Sequence, residues 1–166
     1  MSEKLVKRKH PRLKEYDYSS DGVYFVTICT QNKKHLLSQI VGRGLAPAVQ
    51  LTDYGRIAEQ QMFLLEKRFT FVEIDNYVIM PNHIHIIFWL KPQTAGASPR
   101  PTLTDIVCVY KSLTTRECKK IKPIDKLFQT SFYEHIVRGG KDYEIKSQYI
   151  HENPLKWQFD ELYCEE

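Results

Sequence analysis

No apolar run in the sequence approaches the roughly 18 residues that cross a bilayer, and the basic amino terminus opens into no apolar signal-peptide segment. The expectation is a cytoplasmic chain with no membrane partner. Cysteine is scarce: Cys29, Cys108, Cys118 and Cys164 are the only four in 166 residues, and no two of them form a C-x-x-C pair. Zinc-ribbon and redox-dithiol readings therefore have no support, and reduced, mostly buried thiols are expected. The G-x-x-x-x-G-K-S/T loop that cradles nucleotide phosphates is missing as well, so nothing in the chain points to an ATPase. Internal repeats and low-complexity tracts are absent. Neither charge sign dominates, since 24 Lys and Arg stand against 20 Asp and Glu, a net charge of +4. That surplus is compatible with a polyanionic partner and too small to demonstrate one.

What remains is the profile of a folded domain. Hydrophobic residues make up 42% and charged residues 27% of a chain whose length suits a single domain over residues 1–166. The charge is unevenly spread. Lys4, Lys7, Arg8, Lys9, Arg12 and Lys14 oppose only Glu3 and Glu15 in residues 1–15, whereas the tail, residues 155–166, carries Asp160, Glu161, Glu165 and Glu166. The arm formed by residues 1–20 can run along phosphates through Lys7, Arg8, Lys9 and Arg12, or it can be a solvated terminus. The acidic tail is expected to mask that positive arm.

Residues 22–30, β-branched and aromatic after the turn signal of residues 19–22, read as a strand. Residues 41–47 read as a loop. Thr52 is placed to cap a helix in which Ile57, Ala58, Met62, Leu65 and Phe69 recur at helical spacing. Residues 71–80 and 83–90 form a β-hairpin about Pro81 and Asn82. A surface connector over residues 92–101 follows. Thr104 is then expected to cap a second helix running to Ile121, with Ile106, Val107, Tyr110 and Leu113 on its buried stripe. A strand over residues 127–137 ends at Gly139 and Gly140. A third helix over residues 142–153 stops because Pro154 disfavours helical geometry at the residue before it. The order β-α-β-β-α-β predicts an α+β fold, a ferredoxin-like antiparallel sheet with two helices on one face, with the third helix appended at the C-terminal end.

The unusual residues lie on the third strand. Alternation places His83 and His85 on one face, about 7 Å apart along the backbone, so two imidazoles can converge on one cation. An H-x-H pair on a strand is more often an ordinary half-buried polar feature. Tyr149 and Asn153, at i and i+4, share one face of the third helix. If that face covers the histidines, the Asn153 amide oxygen is a third ligand and the Tyr149 hydroxyl lies beside the open coordination positions. A divalent cation there polarises a phosphodiester while a hydroxyl attacks phosphorus. Such mixed ligation suits Mg²⁺ or Mn²⁺. The plainer reading, a buried aromatic and a helix-end Asn set by Pro154, stays open on these residues alone.

The strings YVIMPNHIHII (residues 77–87), FYEHIVR (132–138) and YIHENP (149–154), together with HPRLK (10–14) and YFVTICT (24–30), resemble the REP-associated tyrosine transposases. These are single-tyrosine HUH transposases, in which U denotes a hydrophobic residue, and the resemblance spans nearly the whole chain. It implies a ferredoxin-like fold whose C-terminal helix carries the nucleophilic tyrosine. It implies that His83 and His85 hold a divalent metal, with Asn153 at the position of the third ligand, where many relatives carry the longer Gln. Tyr149 takes the position of the nucleophile, which in the family attacks single-stranded DNA, forms a 5′-phosphotyrosine and releases a 3′-hydroxyl. The implied function is a metal-dependent single-strand DNA endonuclease and strand transferase acting on hairpin-forming DNA, as a monomer or a homodimer.

Other residues compete for these roles. Tyr143 is ranked as packing or DNA contact, His151 as solvent-exposed, and His135 as a satisfied core histidine. Lys111 and Arg138 are candidate phosphate contacts. A rival of a different class is a non-catalytic module that binds single strands or hairpins, stacking bases on Tyr24, Phe25, Phe88 and Trp89. Alternation argues against it, since adjacent aromatics point to opposite faces.

Overall fold

A computed structural model describes residues 15–42, 47–93 and 99–165. The strands are β1 (Gly22–Cys29), β2 (Ser38–Val41), β3 (Ala48–Leu51), β4 (Val72–Ile79), β5 (His83–Leu90) and β6 (Tyr133–Val137). The helices are α1 (Asp53–Arg68), α2 (Leu103–Lys119) and α3 (Gly139–Glu152), with single 3-10 turns at Gln31–Lys33 and Trp157–Phe159. Four strands form one sheet in the order β4-β5-β1-β6, every neighbouring pair antiparallel, while β2 and β3 pair with each other.

Alternation along the two central strands divides the interior. Tyr24, Val26 and Ile28 of β1 and Ile84, Ile86 and Phe88 of β5 face α1 and α2, where Ala58, Met62, Leu65, Ile106, Val107 and Tyr110 complete the larger core. On the other face, Phe25, Ile87, Val78 and Met80 form a smaller core closed by Ile150 of α3 and by Trp157. Because both faces are covered, β5 reads as an almost unbroken apolar run interrupted by its two histidines. The register sets Thr27 opposite His85 and Cys29 opposite His83. On β4 the ladder shifts between Ile74 and Asn76. Asp75 accepts from the Tyr143 hydroxyl at 2.5 Å, and the Asn76 amide donates to the Ser147 hydroxyl at 2.9 Å, so this bulge fastens α3 over the sheet.

Thr52 caps α1 as expected, its hydroxyl accepting from the Gly55 N–H at 3.1 Å. Gly55 is required by close approach: a Cβ there would lie 1.9 Å from the Leu37 carbonyl oxygen. The cap of α2 is Thr102, not Thr104. Asp105, three residues after Thr102, returns a carboxylate to the Thr102 N–H at 2.8 Å and completes a capping box; the residue three after Thr104 is Val107, which has no acceptor to offer. Helix α2 ends at Lys119, before Ile121, and its buried stripe runs through Thr114 and Cys118, with Leu113 only half-buried.

The last strand is also shorter than expected. Leu127 and Phe128 drop into the larger core, Phe128 making a lone bridge to Thr30, and β6 begins at Tyr133. Gly139, with φ of 76°, opens α3 three residues ahead of Asp142. At the other end Asn153 keeps helical angles despite the following proline, and the chain turns on into Trp157–Phe159. The stretch read as a loop over residues 41–47 lies within the β2–β3 hairpin, and residues 43–46 fall outside the described set. The four cysteines are free, but only Cys118 is fully buried; Cys108 is exposed, and Cys29 and Cys164 are intermediate. Among the described residues no helix is long and apolar enough to cross a membrane.

Candidate active site

His83 and His85 stand on the β5 face beneath α3, both buried, with ring centroids 4.5 Å apart. Each ring is held from behind. The Asn82 amide donates to the Leu162 carbonyl at 2.9 Å, which turns its oxygen toward His83 Nδ1 at 2.8 Å. His85 Nδ1 shares a 2.8 Å hydrogen bond with the Thr27 hydroxyl, its neighbour across the β1–β5 ladder. Both Nε2 atoms are thereby left bare, and both are buried without a hydrogen-bond partner. Asn153 presents a third such atom: its Oδ1 is buried and unpartnered, although its Nδ2 is bonded. Buried polar atoms are nearly always satisfied, so three orphans at one place are a departure that a shared cation would explain.

The fourth group comes from the chain beyond the Trp157–Phe159 turn. Asp160 Oδ2 accepts from Asn153 Nδ2 at 2.6 Å and from the Tyr149 hydroxyl at 3.2 Å, while Oδ1 accepts from the Leu162 N–H at 2.7 Å. Ligand atoms of His83, His85 and Asp160 lie within 4.8 Å of one another. Two imidazole nitrogens, an amide oxygen and a carboxylate, with no thiolate among them, make a donor set suited to a divalent cation of intermediate hardness.

Electrostatics agree with this geometry. Burial draws His83 down to about 4, only partly offset by the Asp160 carboxylate and the Asn153 amide. His85 lies well below the ordinary value through burial, then through His83 and Lys146. Both rings are therefore neutral at neutral pH, the state in which imidazole ligates a metal. Tyr149 is 42% exposed, with its ring 5.1 Å from that of His85. Partial burial first, then Asp160, pushes its hydroxyl up to about 12. A phenol held so firmly in its protonated form is a weak nucleophile unless positive charge is brought to the phosphate it attacks.

The structure thus brings together His83, His85, Tyr149 and Asn153 from β5 and from the end of α3. Asp160, counted by sequence in the acidic tail expected to mask the basic arm, instead turns inward to Asn153 and Tyr149. No periodicity links it to Asn153, because the intervening chain is a series of turns. Asn82, Thr27 and Trp157, whose ring lies 5.8 Å from that of His83, carried no signal of their own either.

Lys111 and Arg138 lie elsewhere. Lys111 donates to the Thr130 carbonyl at 2.8 Å on the α2 side of the sheet, and burial lowers its pKa. Arg138 precedes α3 beside a cleft lined by His135 and Asp142. Lys7, Arg8, Lys9 and Arg12 lie outside the described residues. His135 is satisfied, by Asp142 at 2.8 Å, but it is partly exposed and not a core residue. His151 is exposed, and Tyr143 packs against the smaller core. Tyr24, Phe25 and Phe88 are buried and Trp89 alone is exposed, so these four form no stacking platform.

No family model matches the chain. Direct comparison finds relatives. The chain is 35% identical over 173 aligned positions to an uncharacterized protein of Haemophilus influenzae, an alignment covering 95% of this chain and 94% of that one. It is 27% identical over 139 positions to a REP-associated tyrosine transposase of Escherichia coli, covering 84% of this chain and 70% of the relative. Among solved structures, a REP-associated tyrosine transposase bound to a REP hairpin matches with a TM-score of 0.63 and 20% identity over 90% of this chain and 76% of that one, a likeness of fold. The chain is thus similar in sequence over most of its length to a REP-associated tyrosine transposase, and it shares the fold of one whose structure is solved.

Proposed function

We propose that the protein is a metal-dependent single-strand DNA endonuclease and strand transferase acting on hairpin-forming DNA. His83, His85 and Asn153 would hold Mg²⁺ or Mn²⁺, and Tyr149 is the nucleophile. The observation that carries this reading is the convergence of three buried, unpartnered ligand atoms beside a tyrosine hydroxyl. When bound, the cation supplies electrophilic activation of the phosphodiester.

The rest falls to the chain's own groups. Phe25, stacked on His85 with ring centroids 5.2 Å apart, and Trp157, beside His83, wall the histidines from solvent. Asp160 fixes the Tyr149 hydroxyl and the Asn153 amide through one oxygen, so nucleophile and third ligand keep a set relation. In the chemical step the Tyr149 oxygen bonds to phosphorus as the bond to the upstream O3′ breaks. The phenolic proton leaves along its hydrogen bond to Asp160, and the departing O3′ takes up a proton to become a 3′-hydroxyl. The 5′-phosphotyrosine conserves the phosphodiester bond energy, and reversal of the step with a different 3′-hydroxyl transfers the strand without ATP.

We read the sheet order β4-β5-β1-β6 as ferredoxin-like, with α1 and α2 on one face and the tyrosine helix on the other. We read the tyrosine as acting in cis; the proximity of Tyr149, Asn153, His83 and His85 within one chain supports that reading. The test is incubation with end-labelled hairpin oligonucleotides bearing single-stranded extensions, plus Mn²⁺ or Mg²⁺, followed by denaturing electrophoresis. A metal-dependent covalent adduct is expected. Binding without an adduct across a broad oligonucleotide set would leave a binding module in its place.

A further inference from the structure

The turn that delivers Asp160 to the site also carries the most exposed large apolar side chain among the described residues. Trp157 is 8% exposed and packs toward His83, whereas Phe159, two residues on, is 87% exposed. A single exposed aromatic needs no explanation by itself. Phe159, however, borders a cavity of about 630 Å³ that lies between this turn and β2. That volume accommodates a nucleotide-sized ligand.

The lining chemistry is selective. Among the described lining residues there is no Lys, Arg, Asp or Glu. Apart from His35, the described lining offers a phosphate no ionisable partner, whereas it suits a neutral heterocycle. Gln39 from β2 and Gln158 from the turn supply side-chain amides, each able to donate and accept, and neither is hydrogen-bonded to another described residue. Ile40 and Leu155 add apolar wall. An aromatic face with adjustable amides at its margin is the equipment that recognises an unstacked base. The cavity adjoins the proposed catalytic centre: Trp157, which lines it, lies with its ring 5.8 Å from that of His83, and Phe159 directly precedes Asp160, which is bonded to Tyr149 and Asn153.

We propose that this cavity receives one unpaired base of the DNA strand flanking the cleaved phosphate, stacked on Phe159 and read along its edge by Gln39 and Gln158. The assignment rests on the nuclease reading above and adds to it a protein-borne source of sequence preference next to the cut.

The experiment measures binding of the full-length chain to a hairpin oligonucleotide with a single-stranded extension, and to a set in which an abasic site is walked through that extension. In the wild type, one abasic position is expected to weaken binding by about 10-fold, the magnitude of a lost base–aromatic stack. Phe159→Ala is expected to weaken binding of the intact oligonucleotide by about 10-fold and to make that same abasic position indifferent. Phe159→Tyr should restore the wild-type pattern, and Gln158→Ala should relax the preference for one base at that position while preserving the stack. Penalties for Phe159→Ala and every abasic position that simply add would overturn the pocket. Wild-type protein that forms the covalent adduct but shows no such coupling would sink this inference and leave the nuclease reading intact. Failure of wild-type protein to cleave any hairpin substrate would sink both. Phe159 is solvent-exposed, so its truncation leaves the fold unthreatened; unchanged thermal melting checks this.

Discussion

Replacing Asp160 with alanine removes the group that ties the proposed nucleophile, Tyr149, to the proposed ligand, Asn153. Its Oδ2 holds the Asn153 amide at 2.6 Å and the Tyr149 hydroxyl at 3.2 Å, and its Oδ1 anchors the following turn through the Leu162 N–H. Without it, Asn153 keeps its buried position but loses the bond that aims Oδ1 at the histidine pair, and the proposed metal site loses a nearby carboxylate. Loss of such supporting partners weakens metal binding by about 10- to 100-fold, or about 1.4 to 2.8 kcal/mol. Isothermal titration of the DNA-free protein with Mn²⁺ should show that loss independently of activity, and cleavage under subsaturating Mn²⁺ should fall in parallel. The Tyr149 hydroxyl should also titrate lower, because Asp160 contributes to its upward shift through charge and hydrogen bond. Unchanged Mn²⁺ affinity, or faster cleavage than wild type, would refute this role for Asp160.

Three further outcomes are expected. Gly55→Ala should destabilise the protein by about 1 to 3 kcal/mol, because the new Cβ meets backbone that must shift; a wild-type melting temperature would refute the close-packing account. Thr102→Ala should cost about 1 kcal/mol through loss of the α2 cap. The Asp105 carboxyl is held below its ordinary value of 3.8 by its bonds to the Thr102 N–H and hydroxyl. The capping contribution is therefore fully present above that value and is lost as pH falls through the depressed one, so the gap between wild type and Thr102→Ala in urea denaturation should narrow only in that acid range. His83→Ala should abolish Mn²⁺-stimulated cleavage while circular dichroism stays native; wild-type activity with added Mn²⁺ would place the metal elsewhere.

Strand alternation made the H-x-H pair and its shared face legible in the sequence, because a half-apolar strand between two cores permits only one orientation of His83 and His85. Helical spacing did the same for Tyr149 and Asn153. What sequence could not supply was the docking of α3 on that face, which depends on Asn76–Ser147 and Tyr143–Asp75 contacts spanning about half the chain. Asp160 was hidden for a related reason: its place is set by irregular backbone after Pro154, where no period applies. The Thr102 cap was misassigned to Thr104 because either threonine can serve locally, and the choice falls to whichever has a reciprocating carboxylate three residues on. The β2–β3 hairpin escaped notice because each strand is only four residues long.

The central claim is that Tyr149 attacks DNA under metal control. Its most direct test is mass spectrometry of the proteolysed covalent complex formed with a hairpin oligonucleotide and Mn²⁺. The account predicts a nucleotide linked through a 5′-phosphate to the peptide containing Tyr149, absent from Tyr149→Phe although that variant still binds the DNA. An adduct on Tyr143 or Tyr163, or one that persists in Tyr149→Phe, would contradict it.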